Sequence, residues 1–286
     1  MILNGKVVAD SIKQQLKEEI DEAVANGRRR PKLVIITVGD DPASAVYVRN
    51  KKKAAEEVGI EVEHLIFDGE DNPQRVMDYI DMLNYADRID GIMVQLPLPK
   101  GWDEREIIDS ISPSKDVDGL TTTNIGKLRS GQPCFKPCTA KGIMDLLHYY
   151  NIDIEGKDVT VVGRSNIVGK PVVDLLMAEG ATVRQCHSKT TNLSYYTTCA
   201  DIVISAIGKP KYFDARFFSP HTTGVLIDVG INRDNEGELC GDIDFDAVKD
   251  SAVAITPVPG GVGPMTVAEL LKNTVEAWQK NAGDIK

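Results

Sequence analysis

The sequence predicts an α/β chain of two domains, each built on an open parallel sheet. Three observations carry this. Residues 159–187 read as a short uncharged β-branched strand, a glycine turn, a helix and a second strand, the βαβ unit of a Rossmann-type dinucleotide-binding half. Residues 32–95 alternate apolar runs with amphipathic stretches in the order β-α-β-α-β, an open α/β half of its own. Between the halves, residues 112–137 lack strong periodicity and are rich in Gly, Pro, Thr and Asp, which reads as functional loop and linker. At 286 residues the chain has room for two medium domains.

The elements follow in order. Residues 7–26 place Val8, Ile12, Leu16, Ile20 and Ala23 on one helical face, and Gly27 ends the helix. Residues 32–38 (KLVIITV) form a buried strand. Residues 39–44 turn, with Ser44 as cap of a helix over 45–58. A strand over 61–67, a helix over 73–85 and a strand over 91–95 complete the first half, and residues 102–111 form a short helix. Thr139 caps a helix over 139–150. The second half has strands at 159–162, 182–187, 202–207, 225–229 and 253–257, a helix over 171–179, and a closing helix over 264–280.

Composition limits the function. With 42% hydrophobic and 27% charged residues, the chain is globular, and a net charge of −10 argues against nucleic-acid binding. No leader and no run long enough to span a bilayer is expected. The five cysteines are scattered with no C-x-x-C pair, so neither a disulfide framework nor a zinc site is signalled, and a reducing cytoplasm fits.

The glycine turn after residue 162 departs from G-x-G-x-x-G: Ser165 holds the second glycine position and Gly169 comes late. Free N–H groups at the start of the following helix attract a pyrophosphate. The second strand ends in His187, Ser188 and Lys189, with no acid for a ribose 2′-hydroxyl, and Arg164 sits in the turn. A cation and hydroxyls at that corner suit a 2′-phosphate, so NADP is favoured over NAD. The alternative is that these are ordinary polar loop residues.

In the first half, Tyr47 and Lys51 lie four apart and share a helix face. A lysine on a partly buried face can serve as acid or base; a solvated Lys51–Lys53 run is the other reading. Gln95 ends a strand, where open α/β sheets bind ligands, although it could bond the local backbone. Asp116 and Asp118 stand in a KDVDG loop, where a carboxylate can accept N–H bonds from an amino-heterocycle. Asp116 should point the opposite way from Asp118. Residues 257–266 (PVPGGVGPMT) let backbone approach a flat ligand, or form a hinge.

Taken together, YVRNK at 47–51, VQLPLP at 94–99, KDVDG at 115–119, PCT at 137–139, VGRSNIVGKP at 162–171 and PVPGGVGPMT at 257–266 resemble the bifunctional methylenetetrahydrofolate dehydrogenase/methenyltetrahydrofolate cyclohydrolase family, in the family's order and over nearly the whole chain. The resemblance implies NADP-dependent oxidation of 5,10-methylenetetrahydrofolate and hydrolysis of the methenyl product to 10-formyltetrahydrofolate, a step toward purine biosynthesis. It implies Lys51, Tyr47 and Gln95 as catalytic, and Tyr47, Lys51, Gln95, Leu96, Pro97, Asp118, Gly260 and Gly261 as folate-binding. Gly163, Arg164, Ser165, Ile167, Ser188 and Ile231 would bind the cofactor, with no metal. It also implies a folate-binding domain over residues 1–138 plus 266–286, an NADP-binding domain over 139–265, a cleft between them, and a cytoplasmic homodimer. A monofunctional dehydrogenase, a shikimate-dehydrogenase-like enzyme and a non-catalytic folate or nucleotide sensor are the alternatives. Intact Tyr47, Lys51 and Gln95 argue against the first, and no substrate signal supports the second. The kept lysine and phosphate-binding turn argue against the third.

Overall fold

Helix α1 (Gly5–Ala25) buries the stripe that its sequence pattern marks: Val8, Leu16 and Ile20 are buried, and Ile12 and Ala23 pack partly against a core. The computed structural model describes residues 1–219 and 223–281. The chain divides into two units. The N-terminal unit holds residues 10–138 and those from 267 on. The central unit holds residues 1–9 and 139–266.

In the N-terminal unit, β1 (Lys32–Val38), α2 (Pro42–Val58), β2 (Glu61–Phe67), α3 (Pro73–Asn84) and β3 (Gly91–Val94) follow in turn. The strands are all parallel, in the order β2-β1-β3. Leu33, Val34, Ile35 and Ile36 are all fully buried, because β1 is central and covered on both faces. Successive side chains point to opposite faces. Leu33, Ile35 and Met93 therefore join α1 and α2 residues in one core, while Val34, Ile36, Ile92 and Val94 join Val76 and Ile80 of α3 in another.

Two details differ from expectation here. Helix α2 starts at Pro42, and its cap is Asp41, whose carboxylate accepts from the Ser44 N–H at 2.7 Å. Proline at the first helical position fits, since its missing N–H would go unbonded there anyway. After α4 (Glu104–Asp109), the expected loop contains a helix, α5 (Thr122–Arg129). It carries a weak apolar stripe, so periodicity does not mark it. Its order comes from the Thr121 hydroxyl, which accepts from Asn124 N–H at 3.2 Å, and from long-range bonds to Asp116.

The central unit contains α6 (Cys138–Tyr149), β4 (Asp158–Val162), α7 (Gly169–Ala178), β5 (Thr182–Cys186), α8 (Leu193–Thr198) and β6 (Ile202–Ser205), then β7 (Thr223–Asp228), a small hairpin of β8 (Asn232–Arg233) and β9 (Leu239–Cys240), α9 (Phe245–Val248), β10 (Ala252–Ile255) and the start of α10 (Val262–Asn281). Thr139 lies inside α6 instead of capping it, and its hydroxyl accepts from Thr266 Oγ1 at 3.1 Å. The five long strands form one parallel sheet in the order β10-β7-β6-β4-β5. Counted within the unit this is 2-1-3-4-5 read from the β5 edge, a doubly wound plan whose strand order reverses between β4 and β6. Residues 1–3 add to the other edge: Leu3 N–H donates to Ile255 O at 2.8 Å and Ile255 N–H to Met1 O at 3.0 Å. Among the described residues no helix is long and apolar enough to cross a membrane.

Candidate active site

Helix α2 turns Val48, Ala55 and Val58 into the core beneath it. Lys51 lies three residues after Val48 and four before Ala55, so it falls on that same inward stripe. It is half-buried, whereas Lys53 is 78% exposed. The stripe covers the sheet face that carries Met93, and Gln95, two residues on, has the same sidedness. The consequence is a direct bond: Lys51 Nζ donates to Gln95 Oε1 at 3.0 Å and lies 3.8 Å from Met93 Sδ. Gln95 is held in turn, since its Nε2 donates to Leu96 O at 2.6 Å and its N–H to Ile36 O at 2.8 Å.

Tyr47 stands one turn earlier on α2 and is 40% exposed. Pro97, joined to Leu96 by a cis peptide, is exposed. The Leu96 side chain packs against the core of Val94 and Leu98, and its carbonyl holds Gln95.

The two aspartates of the KDVDG loop have different partners, although two residues apart in extended backbone would share a face; the loop's turn, not the spacing, separates them. Asp116 is buried and faces the loop. Its carboxylate accepts from the N–H groups of Gly119 (2.9 Å), Leu120 (3.2 Å) and Thr121 (2.8 Å), and from Asn124 Nδ2 (2.9 Å). Lys115 Nζ donates to the carbonyls of Leu83 and Ala86, closing the C-terminal end of α3. Asp118 points elsewhere. Burial pushes its carboxyl above the ordinary carboxylate range, against the opposing pull of the Lys51 charge and a hydrogen bond with Cys138. Cys138 Sγ donates to Val117 O at 3.3 Å, and Asn273 Nδ2 of α10 reaches the same carbonyl at 2.9 Å. Cys138 and Asn273 are supports that the sequence reading missed. Their partners lie 21 and 156 residues away, beyond any local pattern.

In the central unit, β4 and β5 are in register with Val162 beside Cys186. Arg164 and Ser188 each lie two residues beyond that pair, so both leave the sheet at one corner, and both are exposed. Gly163 has φ +135°, and a Cβ there would strike the Ala206 carbonyl oxygen. Only glycine lets the turn pass that close. Ser165 and Ile167 are exposed. The Ser165 hydroxyl accepts from Val168 and Gly169 N–H at 3.2 and 3.3 Å. Part of the helix start expected to be free for a pyrophosphate is therefore already bonded by the residue that replaces the second glycine. Ile231, 45% exposed, lies after β7, and Gly263 of the 257–266 segment approaches its Cδ1. Gly260 is part of that segment, and its carbonyl accepts from Lys6 N–H at 3.1 Å; Gly261 follows it within the same unit. A glycine turn with a cation and a hydroxyl at one sheet corner fits a phosphorylated dinucleotide.

Comparison with known proteins gives the family. Residues 3–118 match the family described as "Tetrahydrofolate dehydrogenase/cyclohydrolase, catalytic domain", and residues 137–282 match its "NAD(P)-binding domain". The "Bifunctional protein FolD" of Agathobacter rectalis is 50% identical over 279 residues, covering 98% of this chain and 99% of that protein. The crystal structure of the bifunctional FolD methylenetetrahydrofolate dehydrogenase/cyclohydrolase from Campylobacter jejuni is 43% identical, with a TM-score of 0.95 over 98% of this chain and 99% of that one. A Trypanosoma brucei methylenetetrahydrofolate dehydrogenase-cyclohydrolase, solved in complex with NADP cofactor and inhibitor, is 37% identical with a TM-score of 0.92, covering 99% of this chain and 98% of that one. The chain belongs to the tetrahydrofolate dehydrogenase/cyclohydrolase family.

Proposed function

We propose that the N-terminal unit holds the reacting folate through Lys51, Tyr47, Gln95 and Asp118, and that the central unit holds NADP around Gly163, Arg164 and Ser188. The protein is a bifunctional one-carbon folate enzyme. It oxidises 5,10-methylenetetrahydrofolate to 5,10-methenyltetrahydrofolate and hydrolyses that product to 10-formyltetrahydrofolate. NADP, when bound, accepts the hydride from the methylene carbon.

The observation that carries the residue assignment is the Lys51–Gln95 bond of 3.0 Å on the inward stripe of α2. Gln95 fixes the direction of a lysine that would otherwise be one of three flexible cations. Water adds to the methenyl carbon and the ring then opens. Each step moves a proton, which an oriented amine can take and return. Tyr47, one turn away, supports the folate ring and leaves Lys51 free for that work. Asp118 accepts N–H bonds from the pterin and so selects which face of the folate is presented. Leu96 and Pro97 shape the end of β3 against the substrate, and Gly260 and Gly261 offer backbone to the folate. Arg164 and Ser188 receive the 2′-phosphate, a charge-assisted contact that an NAD site lacks, and Ser165, Ile167 and Ile231 line the nucleotide.

The family likeness also supports a homodimer. Scattered cysteines support the cytoplasm, and 10-formyltetrahydrofolate is a formyl donor suited to purine biosynthesis. Absorbance of purified protein at the NADPH and methenyltetrahydrofolate bands tests the core of this reading. NADPH should form with NADP and methylenetetrahydrofolate, and added methenyltetrahydrofolate should decay faster than in buffer. A protein that does neither is not this enzyme.

A further inference from the structure

Two buried carboxylates of the central unit have no part in the chemistry above. Asp228 ends β7 and is 3% exposed; Asp242 follows β9 and is 0% exposed. They are linked through backbone. Asp228 Oδ1 accepts from Gly230 N–H at 3.0 Å and Asp242 N–H at 2.9 Å, and its Oδ2 accepts from Ile243 N–H at 2.8 Å. Asp242 gathers a second set. Its Oδ2 accepts from Ser205 Oγ at 2.9 Å and Ile207 N–H at 2.8 Å, and its Oδ1 from Lys209 N–H at 2.8 Å and Asn232 Nδ2 at 3.0 Å.

These donors come from particular places. Ser205 is the last residue of β6, and Ile207 and Lys209 belong to the segment that leaves it. Gly230 and Asn232 flank Ile231 in the segment that leaves β7. Both segments stand at the carboxyl ends of strands, the first beside the reversal of strand order, where an open α/β sheet binds its ligand, and the second one strand further on. The first also abuts the cofactor turn, since Ala206 N–H donates to Val162 O at 2.8 Å and the Ala206 carbonyl faces Gly163. The packing leaves no room for adjustment: a Cβ on Gly230 would strike Asp242 Oδ1, and one on Gly241 would strike Asp228 Oδ2.

Two neighbouring buried carboxylates are costly, because each must leave water and each repels the other. A neutral amide cannot replace Asp242, since on either side its NH₂ would meet an N–H donor instead of accepting from it. We propose that Asp242, braced by Asp228, is a positioning pair for the nicotinamide cofactor. It fixes residues 206–209 and 229–232, so the dehydrogenase step depends on it and the hydrolytic step does not. This rests on the reading that one chain carries both activities.

The test compares both activities in one preparation of the full chain. Misplacement of about an ångström costs about 100-fold in rate, so Asp242→Asn should lower dehydrogenase kcat by about that factor. KM for NADP should change less, and hydrolysis of added methenyltetrahydrofolate should stay near the wild-type rate. Far-ultraviolet dichroism and the thermal midpoint establish that the variant is folded at the assay temperature. Asn232→Ala and Ser205→Ala each remove a single donor, and they should show the same split on a smaller scale if Asp242→Asn does not fold. Parallel loss of both activities in the folded variants, or an unchanged dehydrogenase, overturns the proposal. A wild-type protein lacking either activity overturns the functional reading instead, so the two failures are distinct.

Discussion

Lys51 Nζ donates to Gln95 Oε1 at 3.0 Å, joining the middle of α2 to the residue that leaves β3. The bond aligns a cation that two neighbouring lysines do not share, and the first test follows from it. Lys51→Met should abolish methenyl hydrolysis while the protein still folds and binds NADP. Gln95→Leu should keep the amine but free its direction, leaving a measurable residue of hydrolysis. Undiminished hydrolysis in Lys51→Met removes that lysine from the mechanism.

In the proposed reading, the corner formed by Arg164 and Ser188 sets cofactor choice. Arg164→Ala should raise KM for NADP far more than KM for NAD, because only NADP carries the phosphate that the guanidinium meets. A charge-assisted hydrogen bond of this kind is worth about 1.5–3 kcal/mol. Initial rates with each nucleotide give the answer, and equal effects on both assign Arg164 another role.

Asp118 and Asp116 should separate ligand binding from stability. Asp118→Ala should weaken a folate analogue by about 1–3 kcal/mol or more, with NADP affinity nearly unchanged. Asp116→Ala is the milder change for the ligand, but its carboxylate holds Gly119, Leu120, Thr121 and Asn124. Each buried donor left unpaired costs about 1–3 kcal/mol, so Asp116→Ala should be the more destabilising variant in urea. Greater loss of folate affinity in Asp116→Ala, at a temperature where it is folded, would show that the ligand carboxylate was misassigned.

Burial raises the Asp118 carboxyl, and the proposed bond to the pterin needs it ionised. Folate-analogue affinity should therefore fall on acidification, with a midpoint above the ordinary carboxylate range. Calorimetric titration across pH follows this, and the slope should vanish in Asp118→Asn.

Asp228 makes folding stability depend on pH in the opposite sense to most carboxylates. Burial, aided by Asp242, raises it to about 7 from 3.8, against the N–H donors that favour its charge. The folded state then holds a proton that the unfolded chain has released. The contribution to stability is complete below about pH 3.8 and is lost as pH rises through about 7. The urea midpoint of the wild type should carry a falling component toward pH 8 that Asp228→Asn lacks. The same slope in both proteins would place the titration elsewhere.

The sequence by itself determined the long strands, most of the longer helices and the family to which the chain belongs. The runs at 33–36 and 159–162 can only be strands buried on both faces. Gly163 marks a turn, and the missing acid after β5 points to NADP. Each of these signals is local, lying within a few residues of its cause. Tertiary structure decided the rest. The inward stripe of α2 is legible, but its meeting with Gln95 spans 44 residues and depends on α2 covering the β3 face. Helix α5 exists because Asp116 and Thr121 hold its start, and its own periodicity does not announce it. Met1–Ala9 joins the central unit because residues 1–3 pair with Ile255, a partner more than 250 positions away. Asp228, in an expected strand, and Asp242 carry no local mark of their pairing until folding removes their water and supplies donors from three segments. Such pairings belong to surfaces that only the folded chain brings together, because a hydrogen bond's direction and a carboxylate's environment are properties of space and not of spacing.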